Sequence, residues 1–313
     1  MINLTKFLPE NFDKIDSYRI RTRRSFYASS ALKDKREEYW SMIGEPETNP
    51  TDFTGAFRMG CGEAIEKMIR DKWLAQLGPQ GLYLLASQVP VGHSNPEWDG
   101  YVDFLLGYKE EGKIKHIVCE FKTAWGYGAD LLWEKPEEID HDNYFYQLGL
   151  YLKDFYDKGK PCEGILLFAL ISDKNFGKLL QYNCRYNPNT NSVECHQFGR
   201  SGSSYPVKLH FPIDAVFKKW NEISESVKNK ACPDGEFKYK YPVTQASVEG
   251  LSDYRIKRVI NEGVIIGDWQ VQYSRYKDKI LEIDGEDKVY TPEELQVFID
   301  EYKKRHPKSR VSV

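Results

Sequence analysis

Apolar residues recur along this chain with two periods, and the switch between them marks out its elements. From Leu82 to Thr123 a period near two predicts three strands, Leu82 to Val91, Gly100 to Tyr108 and Ile114 to Thr123, the last two joined by a turn at Glu110-Glu-Gly-Lys. Gly164 to Ile171 is a continuous apolar run of strand length, and Leu179 to Phe198 reads as a hairpin about Asn187-Pro-Asn-Thr-Asn-Ser. Helical spacing appears elsewhere. Gly60 to Gly78 places Ile65, Met68, Ile69 and Leu77 on one stripe, with Glu63 in the expected first turn. Asn143 to Asp157 repeats the pattern with Phe145, Leu148, Leu152 and Phe155, and Ile213 to Lys230 reads as another helix. Residues 1–55 are expected to be mostly helical, most clearly from Leu32 to Met42, whereas Gly126 to Asp142 reads as a long loop. Strands interleaved with helices predict an α/β fold, a mixed central sheet flanked by helices.

The pattern changes near Lys230. Residues 232–246 are rich in Pro, Gly, Tyr and Lys and are expected to link a first domain, residues 1–231, to a small α+β unit, residues 247–313. In that unit Ser252 to Gly263 reads as a helix, Trp269 to Ile283 as strands about Lys277-Asp-Lys, and Thr291-Pro-Glu-Glu as the start of a last helix.

Composition narrows the class. At 41% hydrophobic and 14% aromatic, the 313 residues carry enough apolar surface for a packed core, which excludes global disorder. No run approaches the roughly 18 apolar residues of a membrane span. Six cysteines, at 61, 119, 162, 184, 195 and 232, are too scattered for a disulfide scaffold, and Met1-Ile-Asn-Leu-Thr-Lys is unlike a secretory leader. A reducing cytoplasm, with no membrane partner, is therefore expected. The net charge of −3 does not announce a nucleic-acid binder. Its distribution says more: Arg19, Arg21, Arg23, Arg24, Lys33, Lys35 and Arg36 stand against the single acid Asp34, with Tyr18, Phe26 and Tyr27 interleaved. Such a segment is either a phosphate-facing surface or a solvated helix face.

Candidate chemistry sits on two strands. In Ile117-Val-Cys-Glu-Phe-Lys-Thr, alternation sends Ile117, Cys119 and Phe121 to one face and Val118, Glu120 and Lys122 to the other. An acid and a base thus share a face inside an apolar strand, where burying charge is costly unless the charge is paired or metal-bound. On the preceding strand Asp103 stands between apolar neighbours, and a hairpin can set it beside Glu120. Two adjoining carboxylates repel unless a cation lies between them, and oxygen ligands favour Mg²⁺ or Mn²⁺. The alternative is a structural ion-pair network of Asp103, Glu120 and Lys122.

Four elements in order resemble the PD-(D/E)xK nuclease superfamily, in its RecB-type and lambda-exonuclease-like branch. They are Gly62-Glu63 on a helix, Gly100-x-x-Asp103, Glu120-x-Lys122-Thr123, and Gln147-x-x-x-Tyr151; Tyr27-Ala-Ser-Ser-Ala-Leu with Lys35-Arg36 adds an upstream match. The likeness spans roughly residues 20–175. It implies a restriction-endonuclease-like core and a divalent-metal-dependent DNA exonuclease using one or two Mg²⁺ or Mn²⁺ ions. Asp103, Glu120 and the Phe121 backbone carbonyl would ligate metal, with Glu63 completing the shell. Lys122 would orient or activate the attacking water, and Gln147 and Tyr151 would reach the same edge of the site; desolvation beside a metal can lower the pKa of a lysine so placed. Many RecB-type members have His where Glu63 stands, which leaves the number of metal ions open. The implied partners are DNA, at a linear end, and a recombination or repair protein. An endonuclease or a non-catalytic nucleic-acid-binding scaffold would share the fold.

Some relatives carry an iron–sulfur cluster on one early and three closely spaced late cysteines. This spacing is missing here, so no cluster is expected; Cys184 with Cys195-His196 lacks a Cys-x-x-Cys pair, so thiols are expected there rather than zinc.

If Arg21, Arg23 and Arg24 meet phosphates, replacing all three by Ala flattens the dependence of log K for duplex DNA on log salt by about 0.9 per lost contact. Titrations at several salt concentrations measure that slope.

Overall fold

The computed structural model describes residues 23–136, 141–198, 204–251, 253–284, 288–307 and 311, with the side chains of 196–198, 204–209 and 254 left aside. Arg19 and Arg21 lie outside the described residues. The chain divides into two compact units. The first comprises residues up to Lys33, Ser41–Gly44 and Thr51–Ala231; the second comprises Asp34–Trp40, Glu45–Pro50 and Cys232–Val313.

In chain order the elements are β1 (Phe26–Tyr27), α1 (Lys35–Ile43), α2 (Phe53–Met68), β2 (Leu82–Ser94), β3 (Glu97–Glu110), β4 (Lys113–Trp125), α3 (Gly126–Glu134), α4 (Asp142–Asp157), β5 (Glu163–Ile171), β6 (Leu179–Asn187), β7 (Ser192–Phe198), β8 (Ser204–Pro212) and α5 (Ile213–Asn229). The second unit continues with β9 (Lys240–Tyr241), α6 (Gln245–Glu249), α7 (Asp253–Glu262), β10 (Ile265–Ile266), α8 (Trp269–Gln272), α9 (Lys277–Asp284) and α10 (Pro292–Arg305).

The first unit is α/β, with an eight-stranded mixed sheet in the order β1-β3-β4-β5-β6-β7-β8 and β2 also paired to β3. The β3–β4 hairpin turns on Glu111 and Gly112, with φ of 47° and 79°, the mirror-image two-residue turn that suits the strand twist. Most pairings are antiparallel, but β4 and β5 run parallel, with Glu120 beside Leu166 and Lys122 beside Phe168. Parallel neighbours need a crossover, and α3 and α4 supply it.

The expected alternation is present. On one face Phe104, Leu106, Cys119 and Phe121 form a core with Ile69, Ala169 and the half-buried Ile65 of α2. The other face is covered by aromatics. Phe145 of α4 stacks on Phe211 at 4.8 Å and meets Tyr182 edge-on at 5.0 Å, while Trp220 of α5 stacks on Phe26 at 5.2 Å. Cys184 and Cys195 are cross-strand partners, buried free thiols with sulfurs 3.1 Å apart.

Three local expectations change. Helix α2 begins at Phe53 rather than Gly60, because Asp52 caps it by accepting from Gly55 N at 2.7 Å; Glu63 therefore lies deep in the helix and not in its first turn. The stretch expected as a loop from Gly126 contains α3, which buries Ala129 and Leu132. Residues 269–283 form α8 and α9 instead of strands, since Val271, Tyr276 and Ile280 are buried at helical rather than alternating spacing.

The second unit has its own core of Val243, Val248, Ile256, Val259, Leu295, Ile299 and Tyr302. Residues 232–246 belong to it, contributing Val243 and β9, which pairs antiparallel with β10. Thr291 and Glu294 cap α10 reciprocally, with Pro292 at the first turn as expected. Its charged centre is Arg36, 3% exposed. The guanidinium bonds Asp34 at 3.0 Å, Asp284 at 2.5 Å and the Phe237 carbonyl at 2.9 Å, and it lies against Gly235, where a Cβ would clash. Lys35 pairs with Glu236 at 3.3 Å. Among the described residues no helix is long and apolar enough to cross a membrane.

Arg36 is thus committed to a buried ion cluster. Arg36→Ala, which strands Asp34, is expected to destabilise the second unit by about 3 kcal/mol, measured by urea denaturation of the full chain.

Candidate active site

The β3–β4 ladder stops short of its strands' ends, with Phe104 opposite Cys119 as its last pair. Beyond it β3 stays with β2 and β4 stays with β5, so the sheet forks. Asp103 stands in the crotch, where its Oδ2 accepts the Phe121 N–H at 2.8 Å in place of the ladder bond that ends there. In an extended strand N–H and C=O of one residue leave on the same edge, so the Phe121 carbonyl is directed into the same gap.

Glu120 and Lys122 project from β4 toward α4. Lys122 Nζ donates to Glu120 Oε1 at 2.5 Å and lies 5.3 Å from the centre of the Tyr144 ring. Gln147 Nε2 donates to the same Glu120 oxygen at 2.7 Å and to Tyr151 Oη at 2.9 Å. Tyr144, Gln147 and Tyr151 occur at i, i+3 and i+7, so one stripe of α4 serves the site. The opposing strand makes room for it. A Cβ on Gly100 would come within 2.7 Å of the Tyr151 ring, which explains why Gly100 and Tyr151 belong together.

Asp103, Glu120, Lys122, Gln147 and Tyr151 are therefore brought into one cluster. Glu63 is exposed on α2, and the acid one turn further, Glu66, faces the cluster. Gln88 links the two, donating to Glu66 Oε1 at 3.0 Å and, more weakly, to Asp103 Oδ1 at 3.4 Å. Glu66, Gln88 and Tyr144 escaped the sequence reading. Helical spacing from Glu63 and Gln147 held a signal for Glu66 and Tyr144, and none marked Gln88. In the basic segment Arg23 packs over the Tyr27 ring at 4.4 Å and Arg24 is exposed.

Burial governs the electrostatics. Glu120, 1% exposed, is pushed up from the ordinary value of 4.5 to about 8, foremost by desolvation; Lys122 opposes this and Asp103 adds to it. Asp103 also rises through burial, against Lys122 and the Phe121 N–H. Glu66 rises through desolvation and then through the charge of Asp103. Desolvation opposes the charged form of Lys122, yet Glu120 and Asp103 outweigh it and the net displacement is upward. Lys122 is the cation of the group. Among the described residues, Glu120 Oε2 and Gln147 Oε1 are buried without a hydrogen-bond partner. Such orphans mark places where a cation or a water belongs.

The donor set is oxygen only: two carboxylates and a backbone carbonyl directed into one gap, with an orphaned carboxylate oxygen. That set fits a hard divalent cation of the Mg²⁺ kind, which uses one or two carboxylates and keeps several waters. Among the described residues no group of three His, Cys, Asp or Glu side chains is arranged as a metal site. No protein-family model matches the chain, and a search of curated proteins returns no match.

The raised Glu120 has a consequence for pH. A carboxyl whose folded value of about 8 exceeds its unfolded value contributes stability in full below pH 4.5, and this is lost as pH rises through 8. In chelator-treated protein, Glu120→Gln should leave the melting temperature unchanged at pH 4.5 and raise it at pH 9, read by calorimetry across that range.

Proposed function

We propose that this protein is a divalent-metal-dependent nuclease that hydrolyses phosphodiester bonds in DNA, acting exonucleolytically as the sequence resemblance implies. The observation that carries the reading is the convergence of Asp103, Glu120, Lys122 and Gln147 in the fork of the sheet, with buried carboxylate and amide oxygens left unpartnered. A structural ion-pair network would close on itself. Here two acids face one lysine, and among the described residues two acceptors remain open.

Asp103, Glu120 and the Phe121 carbonyl would hold the cation, and Glu66 takes the place on α2 that the resemblance gives to Glu63. The bound ion supplies charge for the transferring phosphate and acidifies a water. The protein's own groups supply the rest. Lys122, fixed by Glu120 and kept protonated by both acids, meets negative charge developing on the phosphoryl oxygens. Gln147 uses its amide hydrogens on Glu120 and Tyr151, leaving a carbonyl that can only accept. A phosphate oxygen does not donate, so the natural occupant of that acceptor is the attacking water, which Gln147 orients. The water oxygen bonds to phosphorus as the ester P–O bond breaks; the water's proton passes to solvent, and the departing sugar oxygen takes one from solvent to leave as a hydroxyl. Tyr151, packed on Gly100, holds Gln147 in register.

The test uses end-labelled linear DNA, single- and double-stranded, beside covalently closed circles, with Mg²⁺ or Mn²⁺. Linear DNA should be degraded, circles should persist, and chelation should stop the reaction. Lys122→Ala should lower turnover by about a thousandfold with DNA affinity retained, and Gln147→Ala by one to three orders of magnitude, roughly the loss of one positioning hydrogen bond. Absence of cleavage on every DNA, or wild-type rates in Asp103→Asn and Lys122→Ala, would overturn the reading.

A further inference from the structure

Strand β2 contains an irregularity in its pairing with β3. Its pairing with β3 runs Leu84 to Leu106 and then Ala86 to Leu105, so Leu85 is one residue in excess. After the bulge Ser87 faces Phe104 and Val89 faces Val102, which sets Gln88 opposite Asp103. In the register before the bulge, Ser87 would have taken that place. A one-residue slip exchanges the faces of every later side chain, so the bulge decides which side chain meets Asp103.

Gln88 is also conformationally unusual. Its φ is +52°, in the left-handed region that Gly or Asn enters at least cost and that a longer side chain enters at a penalty of order 1 kcal/mol. The backbone demands that conformation, and glycine would satisfy it with less strain. What glycine cannot supply is the amide, whose hydrogens reach Glu66 on α2 at 3.0 Å and Asp103 on β3 at 3.4 Å.

From this geometry we infer that Gln88 is a positioning residue of the proposed cation site, its bulge and left-handed backbone aiming one neutral amide at both Glu66 and Asp103. The inference rests on the proposed metal-dependent activity and adds to it the residue that holds two of its acids. A neutral donor suits the task. Its two hydrogens steady both carboxylates while leaving their negative charge for the metal, whereas a lysine there would neutralise one of them. Glu66 then acts through Gln88 on Asp103. Outer hydrogen bonds of this kind orient a ligand and typically change metal affinity by ten- to a hundredfold when removed.

Gln88→Gly separates positioning from folding, because it keeps the φ and removes the amide. Calorimetric titration with Mn²⁺ alone, without DNA, is expected to show affinity reduced about tenfold or more, while the melting temperature of the chelated protein stays level or rises. Gln88→Asn, which tolerates the same backbone but reaches one methylene less far, should fall between the two proteins in Mn²⁺ affinity. Glu66→Gln should weaken Mn²⁺ binding in the same direction. Wild-type Mn²⁺ affinity in Gln88→Gly would overturn the inference and leave the nuclease reading intact, as would a joint fall in affinity and melting temperature, which would make the role structural. A wild-type protein that binds no Mn²⁺ would remove the metal reading itself, and the role of Gln88 with it.

Discussion

Glu120 carries an ionisable group into a place almost closed to water, and the arrangement around it follows from making that tolerable. A buried carboxylate needs a counter-charge and donors within reach, or it is driven to its neutral form. Lys122 gives the counter-charge from two residues along the same strand, and Gln147 gives a donor from the helix above. The second acid, Asp103, undoes part of this compensation. Its presence beside Glu120 is the feature that makes the group costly as mere scaffolding.

The fork in the sheet is what admits these side chains. If β3 and β4 paired to their ends, backbone hydrogen bonds would fill the gap and the two acids would crowd a continuous surface. Ending the ladder frees backbone groups that must find partners. Asp103 answers one of them by accepting from Phe121 N, so a single carboxylate both closes off the ladder and enters the site. Opposite, the bare Cα of Gly100 lets Tyr151 approach, and through Tyr151 the helix is set at the depth where Gln147 meets Glu120.

Much of this was legible in the sequence because it is local. Charges at 103, 120 and 122 interrupt apolar strands with a two-residue period, and Gln147 and Tyr151 lie one turn apart, so their meeting needed only a hairpin and a helix. What the sequence hid depends on registers and caps. Glu63 was read in a first turn because glycines at 55, 60 and 62 concealed a helix that starts at Phe53. Gln88 meets Asp103 only after a bulge that leaves no mark on the hydrophobic pattern. Arg36 counted as one of a basic run, yet its partner Asp284 is 248 positions away, beyond any reading of neighbours. Trp269 to Ile283 read as strands about Lys277-Asp-Lys, and burial of Val271, Tyr276 and Ile280 together selected helices.

The parallel pairing of β4 with β5 has a further meaning for how the molecule comes into being. The neighbouring hairpins, β2 with β3, β3 with β4 and β5 with β6, close over short loops and can form early and separately. Joining β4 to β5 instead requires the whole crossover to fold back, and loop closure of that span comes late. Helix α4 is part of the crossover, so Gln147 and Tyr151 reach Glu120 in the same event that unites the two halves of the sheet. The cluster is thus a property of the completed sheet: its acids and lysine lie on one hairpin, and the helix that organises them arrives with β5.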